Sequence, residues 1–271
     1  MITSKTQFNN LAEIYREVGV SYIGGINTSS KLMKNQKVNG HYTYIIYLAP
    51  ADTSGFNVCS HSTPECRIGC LATSGRAAIE IYSHGNRIQS SRIKKTLFYK
   101  ENPELFLRTI AWEIANAYNK AIRDGFHFSV RLNGTSDIDY VNLRVYGLNI
   151  FEMFPRVTFY DYTKNYFKFN NLPSNYHLTY SYSGRNSAQC EDLLKRGINV
   201  AMVFNLNKKD KIPSSFAGYP VIDGDITDLR VDEAKGIIVG LHWKKIANKE
   251  HNDFVKSSIF AIQPDNKLIN I

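Results

Sequence analysis

Between residue 40 and about residue 205, strand signals and helix signals alternate. That alternation limits the chain to a largely parallel α/β sheet, because parallel strands need helical crossovers between them. Residues 42–48, 127–132, 156–162, 176–182 and 199–204 are rich in β-branched and aromatic residues and read as strands. Residues 77–99 read as helix, with Ile79, Ile81, Ile88 and Ile93 apolar. Pro103 opens a second helix through Arg123, with Phe106, Ile110, Ile114 and Ala117 at helical spacing and Gly125 as its stop. Shorter helices are expected over 142–153 and 187–196, and a first one over 7–17. Residues 20–40 read as a hairpin or loop, and strands are expected at 219–222 and 236–241.

Six or seven such strands predict a TIM-like barrel, complete or incomplete, with an irregular C-terminal region. One domain of 271 residues is expected, with an N-terminal helix and loop over 1–40, a barrel core over 41–245 and a C-terminal extension over 246–271.

Three of the four cysteines lie within twelve residues, Cys59-Ser-His-Ser-Thr-Pro-Glu-Cys66-Arg-Ile-Gly-Cys70, directly after the first strand of the alternating region. The chain has no apolar run long enough to span a bilayer and no apolar signal segment near Met1. An intracellular protein is therefore expected, and in a reducing compartment clustered thiols are ligands rather than disulfides. Cys59, Cys66 and Cys70 predict a metal or iron–sulfur site. A fourth ligand is not evident. His61 is cramped beside Cys59, while His84 and Cys190 are more distant in sequence. Three thiolates suit a [4Fe–4S] cluster with one open iron, and zinc is the alternative.

Polar residues recur where strands should end, which is where barrels carry their active sites. Asp137, Asp161, Lys164, Asp223 and Asp225 are the candidate catalytic residues; Asn133, Ser181, Ser183 and Arg185 are candidates for holding a cofactor. Asp223-Gly-Asp225-Ile-Thr-Asp228 places three carboxylates in six residues. That suits a hard metal, an acid–base pair or a nucleophile on a glycosidic carbon, although the same residues also make ordinary turns.

Net charge is +9, with a pI near 9.2, which points to a polyanionic partner, nucleic acid first. Arg87, Arg92, Lys94, Lys95 and Lys100 interleave with Tyr82, Phe98 and Tyr99, a pattern that can hold phosphates and stack bases or simply face solvent.

The cysteine loop after a first barrel strand resembles the radical S-adenosylmethionine (radical SAM) superfamily, whose usual spacing is C-x3-C-x2-C against C-x6-C-x3-C here. The resemblance implies that Cys59, Cys66 and Cys70 hold a [4Fe–4S] cluster, that S-adenosylmethionine binds its open iron, that Asn133 to Asp137 lie near the methionine amino group, and that Ser181, Ser183 or Arg185 face its ribose or carboxylate. The chain is also similar to small phage-encoded proteins along Cys66 to Arg76, Arg131-Leu-Asn-Gly-Thr-Ser-Asp137, Tyr160-Asp-Tyr-Thr-Lys164 and Asp223-Gly-Asp-Ile-Thr-Asp228, which implies a cytoplasmic role in a phage-infected or prophage-carrying bacterium. It looks like the transglycosylases that exchange guanine bases in tRNA or DNA in barrel class and basic charge. The functions expected are thus an iron–sulfur enzyme modifying DNA or RNA bases, a base-exchanging enzyme using an Asp with structural zinc, or a zinc-stapled nucleic-acid-binding protein without catalysis.

Overall fold

A computed structural model describes residues 8–26, 30–70, 87–246 and 248–264. Ten strands pair in the order β1-β2-β3-β4-β5-β6-β9-β8-β7, with β10 on β6. They are β1 (Gly24–Gly25), β2 (His41–Ile46), β3 (His127–Arg131), β4 (Thr158–Thr163), β5 (Tyr176–Ser181), β6 (Val200–Phe204), β7 (Ser215–Phe216), β8 (Tyr219–Asp223), β9 (Ile238–His242) and β10 (Ala261–Ile262). The expected mostly parallel α/β sheet is present. Its pairing path is open, with β1 and β7 at its ends as short antiparallel partners of β2 and β8. A barrel would need those ends to meet, and no pairing among the described residues joins them.

The chain divides into two compact units. The first comprises Met1–Cys59, Arg87–Asp161 and Asn170–His177. It contains α1 (Leu11–Val18), α2 (Ser30–Asn39), α4 (Arg87–Glu101), α5 (Pro103–Asp124) and α6 (Ile150–Met153). Helix α5 starts on Pro103 and ends at Gly125, as the sequence predicts. Its stripe of Phe106, Leu107, Ile110 and Ile114 is fully buried. In the same unit Tyr44, Ile46, Val130 and Phe159 of β2, β3 and β4 are buried. Each such side chain contributes roughly 1.5–3 kcal/mol through burial. Glu113 is one of the charged residues that enter this core. The Glu113 carboxylate accepts hydrogen bonds from the Tyr15 and Tyr44 hydroxyls and, at 2.8 Å each, from the amides of Ile23 and Gly24. A buried carboxylate with four donors is a structural tie, not a reactive group.

The second unit comprises Ser60–Asn86, Tyr162–Phe169 and Leu178–Ile271. It contains α3 (Pro64–Ile68), α7 (Ser187–Lys195) and α8 (Lys249–Ser257). Ile246, Val255 and Phe260 form a core cluster, and Cys66, Ile68, Val203 and Trp243 pack on it.

Several boundaries differ from expectation. Residues 30–39 are helix rather than loop, and of 142–153 only Ile150–Met153 is helical. There the Asn149 side chain caps Glu152 while Glu152 reaches back to the Asn149 amide, so the helix starts late. The expected helix at 77–99 is present from Arg87; its first ten residues lie outside the described residues. The C-terminal extension is not an appendage, since β10 pairs in parallel with β6.

Candidate functional site

In the first unit β2, β3 and β4 are parallel, so their carboxyl ends lie at one edge. The loop after β3 is built there. Gly134 donates from its amide to the carbonyl of Ile46 at 3.0 Å. A Cβ at this position would sit 2.5 Å from that carbonyl oxygen, so only glycine permits the approach. The Thr135 hydroxyl donates to the Leu48 carbonyl, and the Asp137 amide donates to the Val58 carbonyl at 2.8 Å. The Asn133 side chain holds the loop from inside: its Oδ1 accepts from the Ile138 amide and the Ser136 hydroxyl, each at 2.8 Å.

Asp161, inside β4 and 1% exposed, is the anchor of this loop. It accepts from the Asn133 amide at 2.8 Å and the Tyr176 hydroxyl at 3.0 Å, and the Arg131 Nε lies at 4.0 Å. Burial, together with this carboxylate, pushes the Tyr176 phenol far above its ordinary pKa, so it stays a donor. From Leu132 to Ile138 every residue is buried except Asp137, which is half-buried. Two carboxylates that look alike in sequence therefore differ: Asp161 is an internal acceptor, and Asp137 is half-buried, with Asp139 exposed two residues on. The Cys59 thiol lies 3.9 Å from the Thr135 carbonyl of the same loop.

In the second unit β5, β6, β9 and β8 run parallel. At the ends of β8 and β9, Asp223, Asp225 and His242 offer ligand atoms that all lie within 4.8 Å of one another. Among the described residues they are the group of three that could hold a metal ion. The Asp225 carboxylate accepts from the His242 amide at 2.9 Å and meets its Nδ1 at 3.0 Å. The imidazole pKa is raised: burial opposes the charge, and the Asp210 carbonyl with the Asp225 carboxylate outweighs it. His242 directly follows the strand expected at 236–241. Its partnership with Asp223 needs β8 beside β9, which no local pattern announces.

The other candidates in this unit have different surroundings. The Ser183 amide donates to Asn186, whose side chain donates to the Ser181 carbonyl, so both serines build the turn into α7. Arg185 pairs with buried Glu65 of α3 at 2.9 Å. The Glu65 carboxyl lies below its usual range: burial opposes this, and hydrogen bonds from its own helix start, Arg185 and Thr63 outweigh it. Lys164 lies 5.9 Å from the Phe260 ring centre.

None of the four cysteines is in a disulfide. Cys59 belongs to the first unit, Cys66 and Cys70 to the second, and each is half-buried. Cys66 sits in α3, where the Thr63 hydroxyl caps its amide at 3.3 Å. Cys190 is fully buried, and burial pushes its thiol up to about 12. His61 pairs through Nδ1 with the Ser60 hydroxyl. His84 lies outside the described residues.

The basic stretch on α4 does meet aromatic rings, though not the neighbours the sequence suggested. Arg92 lies 5.3 Å from the Tyr47 ring centre, Lys95 4.2 Å from Tyr22 and Lys100 5.5 Å from Phe56. Phe98 is buried and Tyr99 packs on Phe56 and Phe106; Tyr82 lies outside the described residues.

Residues 25–257 match the family model described as Gene product 88. The chain belongs to the Gene product 88 family. The match runs from β1 to the end of α8 and includes every candidate residue named above. This is a phage-type family, which agrees with the resemblance to phage-encoded proteins. No curated protein and no solved structure matches the chain. No helix among the described residues is long and apolar enough to cross a membrane.

Proposed function

We propose that this Gene product 88 family member is an enzyme that modifies or exchanges a base in DNA or RNA, with Asp137 as the reacting carboxylate. The observation that supports this most is residues 132–138 after β3, where a buried, hydrogen-bonded scaffold leaves Asp137 as the one half-buried residue. A reactive group held by locked neighbours loses little entropy on reaching its transition state. In a base exchange, a carboxylate oxygen of Asp137 bonds to the sugar anomeric carbon as the bond to the old base breaks. The bonding pair leaves with that base, which takes up a proton. The incoming base then attacks the same carbon, loses its proton and restores the free carboxylate. The net charge of +9 favours a polyanionic substrate, and the exposed Lys94 and Lys100 of α4 suit phosphates.

The test is expression of the wild-type protein and Asp137→Asn in a bacterial host, followed by mass spectrometry of the nucleosides from its DNA and RNA. A nucleoside change with the wild type that Asp137→Asn lacks supports the proposal. The same change with both proteins removes Asp137 from the chemistry. Salt-sensitive nucleic-acid binding without any nucleoside change favours a binding protein without catalysis.

A second reading is the iron–sulfur enzyme, with Cys59, Cys66 and Cys70 on a [4Fe–4S] cluster that binds S-adenosylmethionine. Its support is placement: the cysteine loop leaves β2, the first of the parallel strands β2 to β6 that neighbour one another in chain order, and Cys59 approaches the Thr135 carbonyl. Brown, anaerobically purified protein whose visible absorption is lost in Cys70→Ala favours this reading. Colourless protein with one zinc assigns the cysteines a structural role and leaves the carboxylate mechanism standing.

A further inference from the structure

We infer that Asp223, Asp225 and His242 form a binding site for a divalent transition-metal ion, separate from the cysteine loop. The ligand atoms come from two adjacent strands, with Asp223 opposite Gly240 in the pairing of β8 and β9. All three lie within 4.8 Å of one another. An ion bound at about 2.0–2.2 Å needs its donors roughly 3–4 Å apart, so small side-chain rotations close the set.

Contacts from outside the group hold it in place. The His242 Nε2 meets the backbone carbonyl of Asp210 at 2.9 Å. This is the outer bond that fixes a metal-binding imidazole and turns its other nitrogen to the ion. That other nitrogen, Nδ1, is the one facing Asp225. Gly224 is required between the two aspartates: its amide donates to the Gly240 carbonyl at 2.8 Å, and a Cβ there would lie 2.5 Å from Val239. The carbonyls of Gly224 and Thr227 both accept from the guanidinium of Arg230, which is 5% exposed and also donates to the Tyr162 hydroxyl at 2.7 Å. A buried arginine thus fixes the turn that carries the carboxylates.

Two carboxylates and one imidazole are a mixed hard and borderline set. It suits Mn²⁺, Fe²⁺ or Zn²⁺ better than Ca²⁺, with water completing the shell. Asp223 and Asp225 are half-buried and His242 is buried, and three protein ligands would leave positions of the ion open to a phosphate oxygen or a water.

The test uses Mn²⁺, which thiolates bind poorly, titrated into chelator-treated full-length protein and followed by loss of the free-ion electron paramagnetic resonance signal. About one Mn²⁺ per chain is expected, with affinity unchanged in a Cys59→Ala/Cys66→Ala/Cys70→Ala variant. Asp223→Asn keeps an oxygen to accept from the Asp225 amide, so the turn survives while the charge is lost. This variant and His242→Gln should each weaken Mn²⁺ at least tenfold. No binding at millimolar Mn²⁺, or binding that both variants retain, overturns the inference. The result is independent of the role proposed for Asp137.

Discussion

The loop after β3 and the turn after β8 both end a parallel strand with aspartates, and they treat them in opposite ways. In the first, Asp161 is drawn inside and surrounded by donors, and the loop it anchors leaves Asp137 at its surface. In the second, Asp223 and Asp225 both stay half-buried and face a histidine. The lesson concerns cost. A buried carboxylate is tolerated when backbone amides and a neutral phenol satisfy it, and it then organises a scaffold. Half-exposed carboxylates keep their charge cheaply, and clustering raises their affinity for a cation. One arrangement suits presenting a single reactive group, the other suits collecting an ion.

This contrast can be broken by substitution. The largest effect is expected for Asp161→Ala. It strands the Asn133 amide and the Tyr176 hydroxyl in the interior and should lower stability by about 3 kcal/mol, measured by urea denaturation. Asp223→Ala, at the half-buried site, should stay within about 1 kcal/mol; equal losses at both positions would abolish the distinction.

A smaller effect is expected at Lys95, which is 5% exposed beside the Tyr22 ring. Burial, ahead of any charge interaction, lowers its pKa from 10.5 to about 8. The unfolded chain therefore holds more protons between these two values, and stability should rise with pH across that window. Below pH 8 the full penalty is present. Lys95→Met should remove the rise and stabilise the protein at pH 7 by an amount on the order of 1–3 kcal/mol. A denaturation profile that is flat between pH 8 and 10.5 in the wild type would show that Lys95 is solvated.

Arg185→Ala should cost about 1 kcal/mol or less, since the Arg185 side chain is 62% exposed although its partner Glu65 is buried. A loss above 3 kcal/mol, read by thermal melting, would mark Glu65 as an uncompensated buried charge. Smallest of all, Asp137→Asn should change stability by less than about 0.5 kcal/mol while abolishing the nucleoside change. A large loss of stability there would make Asp137 part of the scaffold and remove its special standing.

Much of the fold was legible in the chain. The strands β2 to β6 and helix α5 lie within a few residues of their expected places, because alternation, Pro103 and Gly125 act locally. The helix at Ser30–Asn39 was not, because its polar residues carry little periodic apolar signal. The short strand Ala261–Ile262 was also missed, since a two-residue strand exists only through its partner β6.

The order of residues alone establishes the residue types on offer: a basic chain, a parallel α/β pattern, three clustered cysteines and aspartates near strand ends. Tertiary structure decided which aspartate is buried, because the donors to Asp161 come from residues as far as 28 positions away. It also decided that His242 joins Asp223 and Asp225, because β9 pairs in parallel with β8 and brings its end beside Asp223. Burial and strand neighbours are properties of the whole packed chain, and no local run of residues carries them.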